Sequence, residues 1–217
     1  AHLQGEVRFI FQPAEEGLSD ASQADKSWGA KAMVEAGVMK GVDAIYGLHI
    51  LPNLPTGTLG WRSGPLLASG DTVRIEVSGK QTHGAMPWNG VDPIVASAQI
   101  VMGLQTVVSR QLNISQEPAV ITIGKIQGGV RENIIPETVQ LLGTLRTFDE
   151  DMRADAKRRI TLTAENIASA SGARAKVFFG PSAYATTNNP YALAEASAQV
   201  LQKVRSAGVM VNPKVPD

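Results

Sequence analysis

The sequence predicts an α/β protein in which a ferredoxin-like β-α-β-β-α-β module interrupts a second α/β domain. Three observations carry this. Residues 72–179 alternate strand and amphipathic-helix patterns in that order. The stretches 6–11 and 42–50 are nearly continuous apolar runs, as in parallel strands covered on both faces. Between the two styles stands Ser63-Gly64-Pro65, a boundary signal. The expected organisation is therefore residues 1–65 and 186–217 as parts of one domain, with 66–185 as the inserted module.

Along the chain, the strand at 6–11 ends in Phe11-Gln12-Pro13-Ala14-Glu15-Glu16-Gly17, and a polar loop spans 17–27. A short helix at 29–36 closes on Gly37. The strand at 42–50 carries His49 near its end, and a short strand follows at 56–62. In the module, residues 72–77 alternate strictly, with Val73, Ile75 and Val77 opposite Arg74 and Glu76. Asp92-Pro93 starts a helix, an N-cap acid before a proline at the first helical position. Its apolar face is expected at Ile94, Ala98, Val101 and Val108. Strands follow at 119–126 and 138–148, separated by Gly128-Gly129. Asp149, Glu150 and Asp151 load the start of a second helix, which its dipole favours. A strand at 176–179, a helix at 191–203 and a short strand from Val209 complete the pattern.

Composition narrows the function. Acidic and basic residues balance at 20 each, which gives no reason to expect attraction to nucleic acid or anionic lipid. There is no cysteine, so a metal held by these residues would need His and carboxylate ligands. No apolar run reaches the ~20 residues of a membrane-spanning helix. The first residues lack the basic and apolar regions of a signal peptide, so the expected location is cytoplasmic. Gly-x-Ser-x-Gly, Walker-type and dinucleotide-binding motifs are absent.

The chemistry-bearing residues are few. Adjacent acids at a strand's carboxyl end can divide two tasks, one holding a metal and its neighbour moving a proton, although an isolated Glu-Glu pair is ordinarily a solvated loop opening. His2 lies at the terminus and carries no argument. His49 is either a ligand or a satisfied core histidine. His83, in Thr82-His83-Gly84-Ala85-Met86-Pro87-Trp88, suits a functional loop or a plain surface position. Asn133 is a turn residue or a binding group, and Arg146 a surface base or a carboxylate clamp.

Six segments in register turn these options into one reading. They are the Phe11–Gly17 stretch, Tyr46-Gly47-Leu48-His49, His83-Gly84-Ala85-Met86-Pro87, Gly90-Val91-Asp92-Pro93-Ile94, Asn133-Ile134-Ile135-Pro136-Glu137 and Gly143-Thr144-Leu145-Arg146-Thr147-Phe148-Asp149. Together they resemble the aminoacylase/carboxypeptidase amidohydrolases, on the branch of hippurate hydrolase and the indole-acetyl-amino-acid hydrolases. The resemblance covers essentially the whole chain. It implies a zinc-exopeptidase-like catalytic domain with two divalent metals, zinc or manganese, interrupted by a ferredoxin-like lid that dimerises. It implies Glu15 as general base, Glu16 and His49 as metal ligands, and His83 as a group that reaches the partner subunit's site to stabilise the oxyanion. Asn133 and Arg146 would hold the carboxylate of a small N-acyl amino acid. The family's Cys-Gly-His-Asp segment and its last histidine ligand would fall outside these residues, and 18–28 reads as an insertion. The segment alone is therefore expected to bind no metal pair and to be inactive. The alternative is a dimerisation or binding module that has lost catalysis; Glu15, Glu16 and His49 favour the enzyme.

Overall fold

The computed structural model describes residues 4–15, 29–56, 58–180, 184–204 and 209–211, in two compact units, Ala1–Asn53 and Leu54–Asp217. The polar loop at 17–27 and the insertion at 18–28 lie outside the described residues.

The second unit contains the predicted module. Its strands β3 (Asp71–Ser78), β5 (Ala119–Gly128), β7 (Thr138–Thr147) and β8 (Arg174–Phe179) form one antiparallel sheet in the order β5-β7-β3-β8. With helices α2 (Pro93–Thr106) and α3 (Glu150–Ala170) between them, this is the ferredoxin-like arrangement. Strict alternation in β3 buries Asp71, Val73, Ile75 and Val77 and leaves Arg74 on the other face, where its guanidinium lies 4.3 Å over the Phe178 ring. The core joins those valines and Ile75 to Val139, Leu141 and Leu145 of β7, Ile100 and Leu104 of α2, and Ala156, Ile160 and Ala164 of α3. The opposite sheet face is solvated and polar, as an antiparallel sheet allows.

Both helix starts form as the sequence indicates. Asp92 Oδ1 accepts from the Ile94 and Val95 amides at 2.8 and 3.3 Å, and Asp149 Oδ1 accepts from the Met152 amide at 2.7 Å. The buried face of this helix differs in part from expectation: Val101 and Val108 pack against the core as expected, but Ile94 and Ala98 do not. Pro93, Ala96, Ser97, Ile100 and Leu104 point inward, whereas Ile94, Val95 and Met102 are exposed. This helix is apolar nearly all round, so periodicity could not choose its face; the small Ala96 and Ser97 permit close approach to the sheet.

At the root of the module, Ser69 and Thr147 are both buried and satisfy each other, with the Ser69 amide donating to the Thr147 carbonyl at 2.7 Å and the hydroxyls 2.9 Å apart. Asp71 is buried beside them. Arg153 grips it bidentately at 2.6 and 2.9 Å, and Lys157 Nζ lies 2.8 Å from Oδ1. Burial pushes the Asp71 carboxyl up, but the hydrogen bonds and charges of Arg153 and Lys157 outweigh this and hold it below its ordinary range. Outside the module, β1 (Leu59–Trp61) pairs in parallel with β10 (Val209–Val211), and β2 (Gly64–Leu67) pairs antiparallel with β9 (Thr187–Asn189) ahead of α4 (Tyr191–Val204).

In the first unit α1 (Gly29–Glu35) ends as predicted: Gly37 has φ +89°, its amide bonds Val34 O, and the Val38 amide reaches back to Met33 O. Arg8 Nη1 donates to the carbonyls of Val38 and Lys40 at 2.8 and 3.2 Å, tying the 6–11 segment to the helix end. The strands expected at 6–11 and 42–50 carry no β-ladder among the described residues. Phe9, Phe11, Leu48 and Ile50 are 80–90% exposed. Such apolar segments form strands only when neighbours supply both the ladder and the covering layers. Among the described residues, no helix is long and apolar enough to cross a membrane.

Candidate functional site

Glu15 and His49 belong to the first unit, and His83, Asn133 and Arg146 to the second; Glu16 lies outside the described residues. Glu15 follows Ala14, whose φ of +50° is uncommon for a residue with a side chain and turns the chain at the end of the apolar run. Such outliers concentrate at functional sites, and periodicity alone gave no sign of this one. His49 is exposed, and its Nδ1 is 2.8 Å from the carbonyl oxygen of Ile50. A carbonyl only accepts, so Nδ1 carries a proton; in the neutral ring Nε2 then holds the lone pair a metal ligand offers.

His83 has the opposite tautomer. The Ala85 amide donates to its Nδ1 at 3.1 Å, which leaves the proton on Nε2. The ring therefore presents a hydrogen-bond donor to whatever faces it. The short ladder between β4 (Thr82–His83) and β6 (Ile134–Ile135) sets His83 opposite Ile134, and the Gly84 amide bonds the Asn133 carbonyl at 2.8 Å. The structure thus brings His83 and Asn133 side by side on one exposed tip.

Arg146 is elsewhere. It lies near the end of β7 at the module's root, its Nη1 against the backbone of Gly70 with the Tyr184 ring nearby. The β4–β6 tip is joined to the other end of β7, where the Gly79 amide bonds Glu137 O next to Thr138. Eight residue steps along the strand separate Thr138 from Arg146, about 27 Å at ~3.4 Å per step. An N-acyl amino acid, about two residues long, spans only about 7 Å extended. One copy of the module therefore presents two separate polar ends, a His–Asn tip and an Arg root. Sequence spacing could not reveal this, because Asn133 and Arg146 are close in the chain while β7 runs between them.

Among the described residues, which do not include Glu16, no group of three or more His, Cys, Asp or Glu gathers as a cation site.

Residues 1–216 match the profile of peptidase family M20/M25/M40. The chain is 42% identical over 175 residues to N-acetyl-L-cysteine deacetylase of Bacillus subtilis, an alignment covering 81% of this chain and 40% of that protein. It is 38% identical over 177 residues to IAA-amino acid hydrolase ILR1-like 4 of Arabidopsis thaliana, covering 82% and 38%. Among solved structures, a dinuclear metal-binding peptidase of the M20 family from Bacillus subtilis superposes with a TM-score of 0.73 at 33% identity, covering 96% of this chain and 49% of that one. The chain thus spans about half, or less, of the length of these relatives.

Proposed function

Because the chain belongs to peptidase family M20/M25/M40, we propose that the protein carrying it hydrolyses the amide bond of N-acyl amino acids, acetyl- or hippurate-like, at a site shared between two copies. The observation that carries the second half of this reading is the separation of the His83–Asn133 tip from Arg146 along β7. A substrate too short to bridge them can meet both only if the tip of one copy enters the site of another. The module has surfaces suited to pairing: β5 is an edge strand with Val120 and Ile126 exposed, and α2 leaves Ile94, Val95 and Met102 in solvent. A homodimer through the lid, residues 66–185, follows from this reading, with 1–65 and 186–217 as parts of the catalytic domain.

In this reading Glu16 and the Nε2 of His49 are ligands for a pair of divalent metals, zinc or manganese, the other ligands coming from outside these residues. One carboxylate and one imidazole suit either ion. The metals would supply Lewis-acid activation. Glu15 takes a proton from the attacking water and passes it to the amine nitrogen as the C–N bond breaks, releasing a free amino acid and a carboxylic acid. His83 of the second copy offers its Nε2–H to the carbonyl oxygen as negative charge develops there. Asn133, on the same tip as that His83, and Arg146 of the first copy hold the substrate carboxylate, the guanidinium bidentately.

The carboxylate clamp gives a direct test. In a full-length protein, wild type should favour an N-acyl amino acid over its C-terminal amide. Arg146→Ala should raise KM for the acid roughly 10- to 100-fold and leave the amide almost unaffected. Equal losses on both substrates would show that Arg146 does not read the carboxylate.

The family similarity and the Glu15, Glu16 and His49 set favour an enzyme over a binding module that has lost catalysis.

A further inference from the structure

We propose that Gly79 and Gly90 are positioning residues that close the neck of the His83 loop and so fix where its imidazole is delivered. The inference rests on the catalytic reading of His83. Residues 83–89 are all exposed, so no side chain anchors this loop in the core. Its shape depends on backbone hydrogen bonds. At the neck Lys80 and Val91 exchange a reciprocal pair, Lys80 N to Val91 O at 2.9 Å and Val91 N to Lys80 O at 3.0 Å. Inside it, the Met86 amide bonds His83 O at 2.8 Å and the Gly90 amide bonds Pro87 O at 3.1 Å.

The two glycines sit where the strands of the neck cross. A methyl group on Gly79 would overlap the Val91 carbonyl oxygen and lie 2.8 Å from Pro93 Cδ. One on Gly90 would lie 2.5 Å from both Lys80 O and Thr82 Cγ2. Backbone cannot yield to either contact without opening the pair. The neck is also fixed from both sides. Gly79 N bonds Glu137 O, extending the β3–β7 ladder, and Val91 leads into Asp92, the cap of α2. Through the Gly84–Asn133 bond, a shift of the loop reaches Asn133 as well, but not Arg146 at the far end of β7.

The test uses the full-length protein with an N-acyl amino acid. Gly79→Ala and Gly90→Ala are expected to lower kcat roughly 10- to 100-fold, the cost of misplacing a reacting group by about 1 Å, with a smaller rise in KM because Arg146 still holds the carboxylate while Asn133 shifts. Gly103→Ala, which crowds Ile167 in the helix layer far from the loop, should leave kcat unchanged below its melting temperature. Folded Gly79→Ala and Gly90→Ala proteins with wild-type kcat, beside an impaired His83→Ala, would overturn the inference. A fully active His83→Ala would instead overturn the reading on which it rests. Should the glycine variants fail to fold, hydrogen exchange on the unmodified protein decides. The Lys80 and Val91 amides should exchange at least about tenfold more slowly than the Trp88 amide, and equal rates would show an open neck.

Discussion

Glu15→Gln in a full-length protein is expected to lower kcat on the order of 10³-fold while leaving metal content and KM nearly unchanged. The amide is the same size and still accepts a hydrogen bond, but it cannot take the proton of the attacking water or return it to the leaving amine. Neighbouring Glu16 makes the informative comparison. If Glu16 is a ligand, Glu16→Gln loses metal as well as turnover, whereas Glu15→Gln keeps its metal and loses turnover alone. Metal analysis beside steady-state kinetics separates the two. Glu15→Gln within tenfold of wild type, or depleted of metal like its neighbour, would remove Glu15 from the role of base.

The second large effect concerns stability. Asp71→Asn strips the carboxylate from Arg153, whose side chain is only 9% exposed, and from Lys157. Breaking one side of a buried ion pair costs about 3–5 kcal/mol when the remaining charge is left uncompensated; Arg153 keeps Glu150 at 2.8 Å and Lys157 is partly solvated, so the loss falls toward about 3 kcal/mol. The loss should appear in the denaturant midpoint. Asp155→Asn breaks partly exposed surface pairs with Arg158 and Arg159 and should cost much less than Asp71→Asn. The pH dependence has a definite sign. The folded Asp71 carboxyl is held below its ordinary value, so its contribution is complete above the unfolded pKa of ~3.9 and fades as pH falls below that. Wild type should therefore lose stability more steeply than Asp71→Asn on the acid side of pH 4. Parallel acid limbs would mean that the ion cluster is not what links β3 to α3.

The module's fold is legible in the sequence because each signal is local. Alternation in residues 72–77 and the Asp92-Pro93 and Asp149 caps each act within a few residues, and each appears in the structure, as does the Gly37 stop in the first unit. The face of α2 was not legible, since an all-round apolar helix leaves the choice to tertiary packing. The ladders expected at 6–11 and 42–50 failed for the reverse reason: strand formation there depends on neighbours that the local pattern does not contain. The Asp71–Arg153 cluster left no sequence signal either, because its members are 82 residues apart and meet only once the sheet has formed. Of the candidate site, the residue types were visible through six motifs in register. Their division between the two ends of β7 became apparent only from strand pairing.

The shared site can be tested by complementation. Full-length His83→Ala and Arg146→Ala proteins, each impaired as a homodimer, are dissociated together and allowed to reassociate, and release of free amino acid from an N-acyl amino acid is measured. If His83 serves the partner's site while Arg146 serves its own, each mixed dimer contains one intact site and one doubly altered site. Random pairing makes about half the dimers mixed, so activity should recover to about a quarter of wild type. No recovery, with mixed dimers shown to form by tag-based capture, would place both residues in one site of a single copy and contradict this account.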